Sequence, residues 1–189
     1  TSLGNAYRRA GRLKESVAQY ELALDYVKEW GLKYPEAQLY ANMGEVYFEQ
    51  QNFPQALENF QKVLALGESR QIPGDIRRAT GRIGDILRRT GKPAEAVPYY
   101  QRAIQQIEST RSLLESEEYR QSFFEGELRP YASIMRALLS AGKQEEAFNY
   151  SERARSRGFL DVLGSKVQLS RVKSGLLEEV KSLQERIAE

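Results

Sequence analysis

The sequence predicts an all-α fold, a solenoid of antiparallel helix pairs, and three observations carry that expectation. First, the chain repeats itself at a fixed step of 40 residues: segments LGNAYRRAGRLKESVAQYELAL from Leu3, MGEVYFEQQNFPQALENFQKVL from Met43 and IGDILRRTGKPAEAVPYYQRAI from Ile83 align on small and aromatic residues. Second, apolar residues within each copy recur at helical spacing (Tyr40, Met43, Tyr47; Ile83, Leu87), which points to one buried stripe per helix. Third, no alternating runs bounded by Asn-Gly or Asp-Gly occur, so nothing reads as a strand.

Each element follows from those copies. Gly4, Gly44 and Gly84 recur on the 40-residue step, and a glycine on a helix face lets a second helix approach closely. Ser16, Ala56 and Ala96 follow twelve positions later, then Tyr20, Phe60 and Tyr100, then Ala23, Val63 and Ala103. Small residues mark the contact between paired helices, and the aromatics fill the groove beside it. The second helix opens after Asn-Phe-Pro or Gly-Lys-Pro, where Pro54 and Pro93 suit a first helical turn. Gln51 stands where the other copies have a turn glycine. A fourth, weaker copy runs IMRALLSAGKQEEAFNYSERA from Ile134, with Gly142 and Ala147 in register with Gly91 and Ala96. Its step is 51 residues, so one connection has grown by 11.

Irregular features fall between and after the copies. Pro98 lies inside a helical run, predicting a kink near Val97, and the helical pattern continues from Tyr99 to about Glu118. Residues 108–128 hold six Glu against Arg111 and Arg120. Pro130 is either an early-turn residue or a kink. After Gly158 the repeat pattern stops, and Leu176, Val180, Leu183 and Ile187 put one apolar stripe on a last helix. That stripe serves either a coiled-coil partner or packing against the last repeat or a following domain.

Composition limits the chemistry. The 189 residues include no His and no Cys, which excludes a Ser-His-Asp triad, imidazole ligands, thiol nucleophiles, disulfides and zinc–thiolate clusters. No cofactor, metal or catalytic residue is expected. Glu117/Glu118 and Glu178/Glu179 are sequence neighbours that diverge around a helix, and Gly81–Gly84 lacks both the strand and the Gly-Lys-Ser/Thr of a phosphate loop. A net charge of +2 and no apolar run near the roughly 18 residues of a membrane span leave nucleic acid and membrane as the least favoured partners. The chain opens at Thr1 and reads as part of something longer, and a cytoplasmic setting is expected.

The four copies resemble the tetratricopeptide repeat. Its pattern of large–Leu–Gly–x–x–Tyr, then Gly, Ala, Phe/Tyr and Ala, is met at nearly every position of copies two and three. The 40-residue step resembles the long-helix variants of kinesin light chain and Pins/LGN-type adaptors. This resemblance implies a right-handed superhelix over residues 1–157, with repeats at about 1–33 (truncated), 34–73, 74–118 and 119–157, and a helical extension or linker at 158–189. It also implies protein–protein recognition, as scaffold or adaptor, on a concave face. Departures are a shortened first helix, Gln51 for glycine and Val63 for alanine.

The C-terminal part resembles a second arrangement. Phe124, Arg129, Tyr131, Leu138, Gly142, Glu145, Ala147 and SERARSRGFLDVLG, with Glu152, Arg153, Ala154, Arg157, Leu160 and Leu163 in position, look like the last repeat before a CHAT domain in bacterial proteins. That resemblance implies a caspase-like domain beyond this chain and a sensor or regulatory role for the repeats. Otherwise these residues form an ordinary final repeat.

First helices of a repeat solenoid line its concave side. The expected partner-binding residues there are Asn5 and Arg9 (beside Ser2) in copy one, Asn42, Glu45 and Glu49 in copy two, and Arg78, Arg82, Asp85 and Arg89 in copy three. The last four follow i, i+4, i+7, i+11, one helix face. Seven basic residues against Asp75 and Asp85 lie between Arg70 and Lys92, a local excess of +5 that suits an acidic peptide or protein. The constellation is similar to the carboxylate clamp of chaperone-binding repeats, with Asn5, Asn42, Arg78 and Arg82 in place and Thr1 where the clamp has lysine. Two alternatives stay open: a broader acidic-partner groove on Arg78, Arg82 and Arg89, or ion pairs with Asp75, Asp85 and neighbouring Glu residues. RNA held by basic residues and tyrosines is a more distant reading. An incomplete first repeat would also leave an apolar edge open to self-association.

Overall fold

The computed structural model describes residues 1–116, 119–120, 122–123 and 127–156. They form eight helices: α1 (Ser2–Arg9), α2 (Leu13–Glu29), α3 (Lys33–Glu49), α4 (Phe53–Ser69), α5 (Pro73–Arg89), α6 (Pro93–Ser112), α7 (Arg129–Ser140) and α8 (residues 144–156). There is no strand among the described residues. Each helix packs on its sequence neighbours, and α3 with α5 and α5 with α7 touch as first helices of successive pairs. The architecture is an all-helical repeat solenoid. The expected stripe after Gly158 and the junction residues Arg157, Leu160 and Leu163 lie outside the described residues.

Regularity comes from the turns. Helices α2, α3, α4 and α5 each have 17 residues, so helix plus turn gives a 20-residue unit, half the sequence step. The middle turn residue has positive φ every time: Gly11, Gly31, Gln51, Gln71, Gly91 and Gly142. The next residue's N–H closes each helix by bonding five residues back, as in Asn52 to the Tyr47 carbonyl (2.8 Å) and Lys92 to that of Leu87 (2.9 Å). Gln51, at φ 58°, keeps the conformation of the glycine it replaces. Gln71, at φ 54°, does the same at a turn that the repeat alignment does not mark.

Close packing explains the repeated glycines. A Cβ on Gly4, Gly44 or Gly84 would lie 2.5, 2.9 or 2.7 Å from a ring carbon of Tyr20, Phe60 or Tyr100. The first helix of each pair therefore rests backbone-first on its partner's aromatic ring. Ser16, Ala56 and Ala96 are buried in the same contact, and Ser16 Oγ donates to the Gly4 carbonyl at 2.8 Å. One core cluster runs through α2 to α5 and a second through α6 to α8, and Leu87 packs against both. Of the tyrosines expected inside, Tyr20, Tyr40 and Tyr100 are buried, while Tyr7 and Tyr47 are half-buried.

One expectation needs correction. Helix α6 runs unbroken through Pro98, whose side is exposed, but it ends at Ser112 and not near Glu118. Its last core residue is Ile107, and Leu113 is 80% exposed, so no buried stripe remains to sustain another turn. Pro130 is the early-turn residue, in the first turn of α7.

The short α1 leaves a mark on α2. Leu22, Tyr26 and Trp30 form an exposed stripe, whereas one step on Lys62, Leu66 and Arg70 are engaged by α3 or the core. Lys62 lies over the Tyr40 ring at 5.2 Å and Arg70 pairs with Glu36 at 3.0 Å.

Three substitutions probe these constraints. Gln51→Gly and Gln71→Gly each relieve a left-handed side-chain conformation and should raise unfolding free energy by about 0.5–1 kcal/mol. Gly84→Ala should lower it by about 1–3 kcal/mol, because the Tyr100 ring cannot yield without repacking. Thermal and denaturant melts followed by circular dichroism check all three.

Candidate partner-binding face

The face made by α1, α3, α5 and α7 takes its chemistry from the residue after each repeated glycine: Asn5, Glu45 and Asp85. That position lies beside the aromatic ring the glycine touches. Where the ring carries a hydroxyl, the residue is a short acceptor: Tyr20 donates to Asn5 Oδ1 at 2.6 Å and Tyr100 donates to Asp85 Oδ1 at 2.9 Å. Copy two has Phe60, without a hydroxyl, and a longer Glu45 that reaches sideways.

Glu45 reaches Arg82. The guanidinium donates through Nε to one carboxylate oxygen (2.7 Å) and through Nη2 to the other (2.5 Å), a bidentate pair. Arg8 of α1 donates to Glu49 at 3.0 and 2.5 Å and lies 3.9 Å from Glu45. On the other side Arg82 is 3.5 Å from Asp85, which also takes Arg129 of α7 at 2.5 Å and Ser133 Oγ at 3.5 Å. A ladder of alternating charge, Glu49–Arg8–Glu45–Arg82–Asp85–Arg129, thus crosses all four first helices. Glu45 and Asp85 are nearly buried, at 7% and 5% exposure, and buried carboxylates hold their charge only when so partnered.

Beside the ladder lies an open cleft of about 550 Å³, walled by Glu45, Arg77, Arg78, Arg82, Arg129 and Ser133 among others. Arg77 pairs with Glu127 at 2.9 Å. Arg78 differs from its neighbours: its Nη1 donates to Gln38 Oε1 at 3.0 Å, and among the described residues no carboxylate lies within 4.0 Å of it. Burial first, then the nearby Arg82 and Arg8 charges, pull its guanidinium below the ordinary value, against the opposing pull of Glu45 and Asp75. An arginine stays ionised even so.

The expected residues divide accordingly. Glu45, Arg82 and Asp85 are joined in one chain of ion pairs, and Arg78 and Asn42 form a second group through Gln38, which accepts from Arg78 and donates to Asn42 Oδ1 at 2.7 Å. Asn5 accepts from its ring partner Tyr20, and Glu49 joins the ladder through Arg8. Arg89 sits apart, 4.6 Å over the Phe48 ring that also carries Arg82 at 5.2 Å. Arg9 is exposed, and its neighbour Arg8 is the residue that reaches α3. The local excess of +5 is largely cancelled, since Arg70, Arg77, Arg82 and Lys92 each meet a carboxylate. Arg8, Arg129, Tyr100, Ser133 and Glu127 were not legible as site residues; the pairing of tyrosine with a short acceptor fifteen residues earlier was the available signal. No group of acidic residues among those described could hold a metal ion, and none of their helices is long and apolar enough to cross a membrane.

Residues 1–69 and, in an overlapping match, residues 41–109 fit sequence profiles of the Tetratricopeptide repeat. No curated protein sequence matches the chain. Among solved structures, it is similar to BtubC from P. vanneervenii (18% identity, TM-score 0.67), covering 82% of this chain and 60% of that one. Aspartyl phosphate phosphatase F from Bacillus subtilis is similar at 18% identity and TM-score 0.71, covering 82% of this chain and 38% of that one. The TPR-like repeats of a putative kinesin light chain from Podosopora anserina match at 18% identity and TM-score 0.60, over 82% and 71% of the two chains. At such identity the structures speak for the fold. The chain spans less than two thirds of the length of the first two.

Tyr100 offers a pH test. Burial and then the Asp85 charge push its phenol above the ordinary value near 10. Its stabilising contribution is therefore complete below about pH 10 and declines as pH rises further, because the unfolded chain ionises first. Tyr100→Phe should cost about 1 kcal/mol at neutral pH through the lost bond to Asp85 and flatten the alkaline fall, as measured by denaturant melts from pH 8 to 11.

Proposed function

Since this chain carries tetratricopeptide repeats, whose general work is protein–protein interaction, we propose that it takes an acidic segment of a partner protein on its concave side, in the cleft beside α5. The observation that carries this reading is Arg78: a partly desolvated cation in an open cleft, held by a neutral amide and by no carboxylate within 4.0 Å among the described residues. An incoming carboxylate would gain a charge-assisted hydrogen bond there without first removing an ion pair. Catalysis has no part in this reading.

The narrower alternative is a clamp for a C-terminal carboxylate built from Asn5, Asn42, Arg78 and Arg82. Asn42 favours it, because Gln38 ties its amide to Arg78. In the wider setting the repeats would be the sensor arm of a larger cytoplasmic protein with a CHAT domain to follow. The junction residues Glu152, Arg153 and Ala154 support that setting through sequence alone. The exposed Leu22–Tyr26–Trp30 stripe would take part in self-association.

Calorimetric titration of a glutamate-rich peptide into wild type and Arg78→Ala tests the reading. The variant should bind about tenfold more weakly or worse. Equal affinities would remove Arg78 from the site. Free and amidated C-termini on the same peptide separate the clamp from the broader groove.

A further inference from the structure

The ladder contains two carboxylates in the pose of a ligand. Glu45 presents both oxygens to Arg82 in a parallel fork, and Asp85 takes Arg129 at 2.5 Å; all four residues line the cleft. We propose that Glu45 and Asp85 are built-in counter-anions of the cleft, holding Arg82 and Arg129 until a partner segment bearing at least two carboxylates displaces them. This rests on the reading of the cleft as an acidic-segment site and specifies which acidic segments it admits.

The exchange is feasible because neither internal carboxylate is stranded by it. If Arg129 turns to a ligand, Asp85 keeps the Tyr100 hydroxyl at 2.9 Å and Ser133 at 3.5 Å. If Arg82 turns, Glu45 keeps Arg8, already 3.9 Å away. Removing a partner outright from a buried ion pair is strongly unfavourable, whereas trading one partner for another is not. Arg129 is the readier of the two arginines to move, since its side chain is 60% exposed against 20% for Arg82.

A single carboxylate gains one contact here. It meets Arg78, but Arg82 and Arg129 remain satisfied by carboxylates tethered within the same fold, at an effective concentration that a free ligand does not match. A second carboxylate on the same segment arrives already tethered and competes on equal terms. The cleft therefore discriminates by the number of acidic groups and turns away isolated ones.

Two capped peptides test this, one with three consecutive glutamates between glycines and one with a single glutamate, titrated into wild type, Glu45→Gln and Asp85→Asn after circular dichroism establishes that each is folded. Wild type should prefer the triple-glutamate peptide by about tenfold or more, and both variants should bind the single-glutamate peptide about tenfold more tightly than wild type does. If wild type binds and both variants bind no more tightly, the counter-anion role is overturned while the acidic site stands. If neither peptide binds wild type or variant, both readings fall together.

Discussion

The contact of glycine with an aromatic ring is the constraint on which the rest depends. Gly4, Gly44 and Gly84 let a first helix settle directly on Tyr20, Phe60 or Tyr100, with no room for a methyl group between them. That distance fixes the spacing of each pair. It also fixes what the following residue can do, because Asn5, Glu45 and Asp85 are carried to the rim of the same ring. A packing rule in the core thus places buried polar groups on the face that carries the ladder, and core and site cannot be altered separately.

Charge on this face is a property of the assembly of repeats more than of any one helix. Helix α5 is rich in arginine, yet Arg77 is met by Glu127 from the connection before α7, and Arg82 by Glu45 from α3 and Asp85 of its own turn. Only Arg78 departs from this pattern among the cleft arginines. Every rung except Arg82–Asp85 joins neighbouring repeats, so the ion pairs that neutralise the face also tie the first helices to one another. The partly buried, bidentate Glu45–Arg82 link resists screening better than the exposed i, i+3 pairs on the outer helices.

The fold was legible because it is periodic. Glycine, alanine and aromatic positions on a 40-residue step specify helix pairs, and Pro54 and Pro93 mark first turns. Gln71 was not legible, since the left-handed turn is imposed by its neighbours on a residue with no preference for it. The end of α6 was misjudged because helical propensity continues past Ser112 while the core does not. At the site, helix periodicity found Glu45, Arg78, Arg82 and Asp85, which share faces. It could not find Arg129 or Glu127, which come from a different repeat, nor tell Arg8 from Arg9, where the choice depends on how α1 is rotated against α3. Pairing across repeats is a three-dimensional fact that spacing along one helix does not encode.

The uniform twenty-residue unit bears on how such a chain can change length. One residue added inside α3, α4 or α5 would rotate everything after it on that helix by about 100° and carry a glycine off its ring. Relative to the repeat step the chain has grown by 11 residues between the third and fourth copies, beyond Ile107, the last core residue of α6. Length varies where rotation has no consequence, and that stretch ends in Glu127 and Arg129. New surface at the cleft has therefore entered through the one joint that the periodic packing leaves unconstrained.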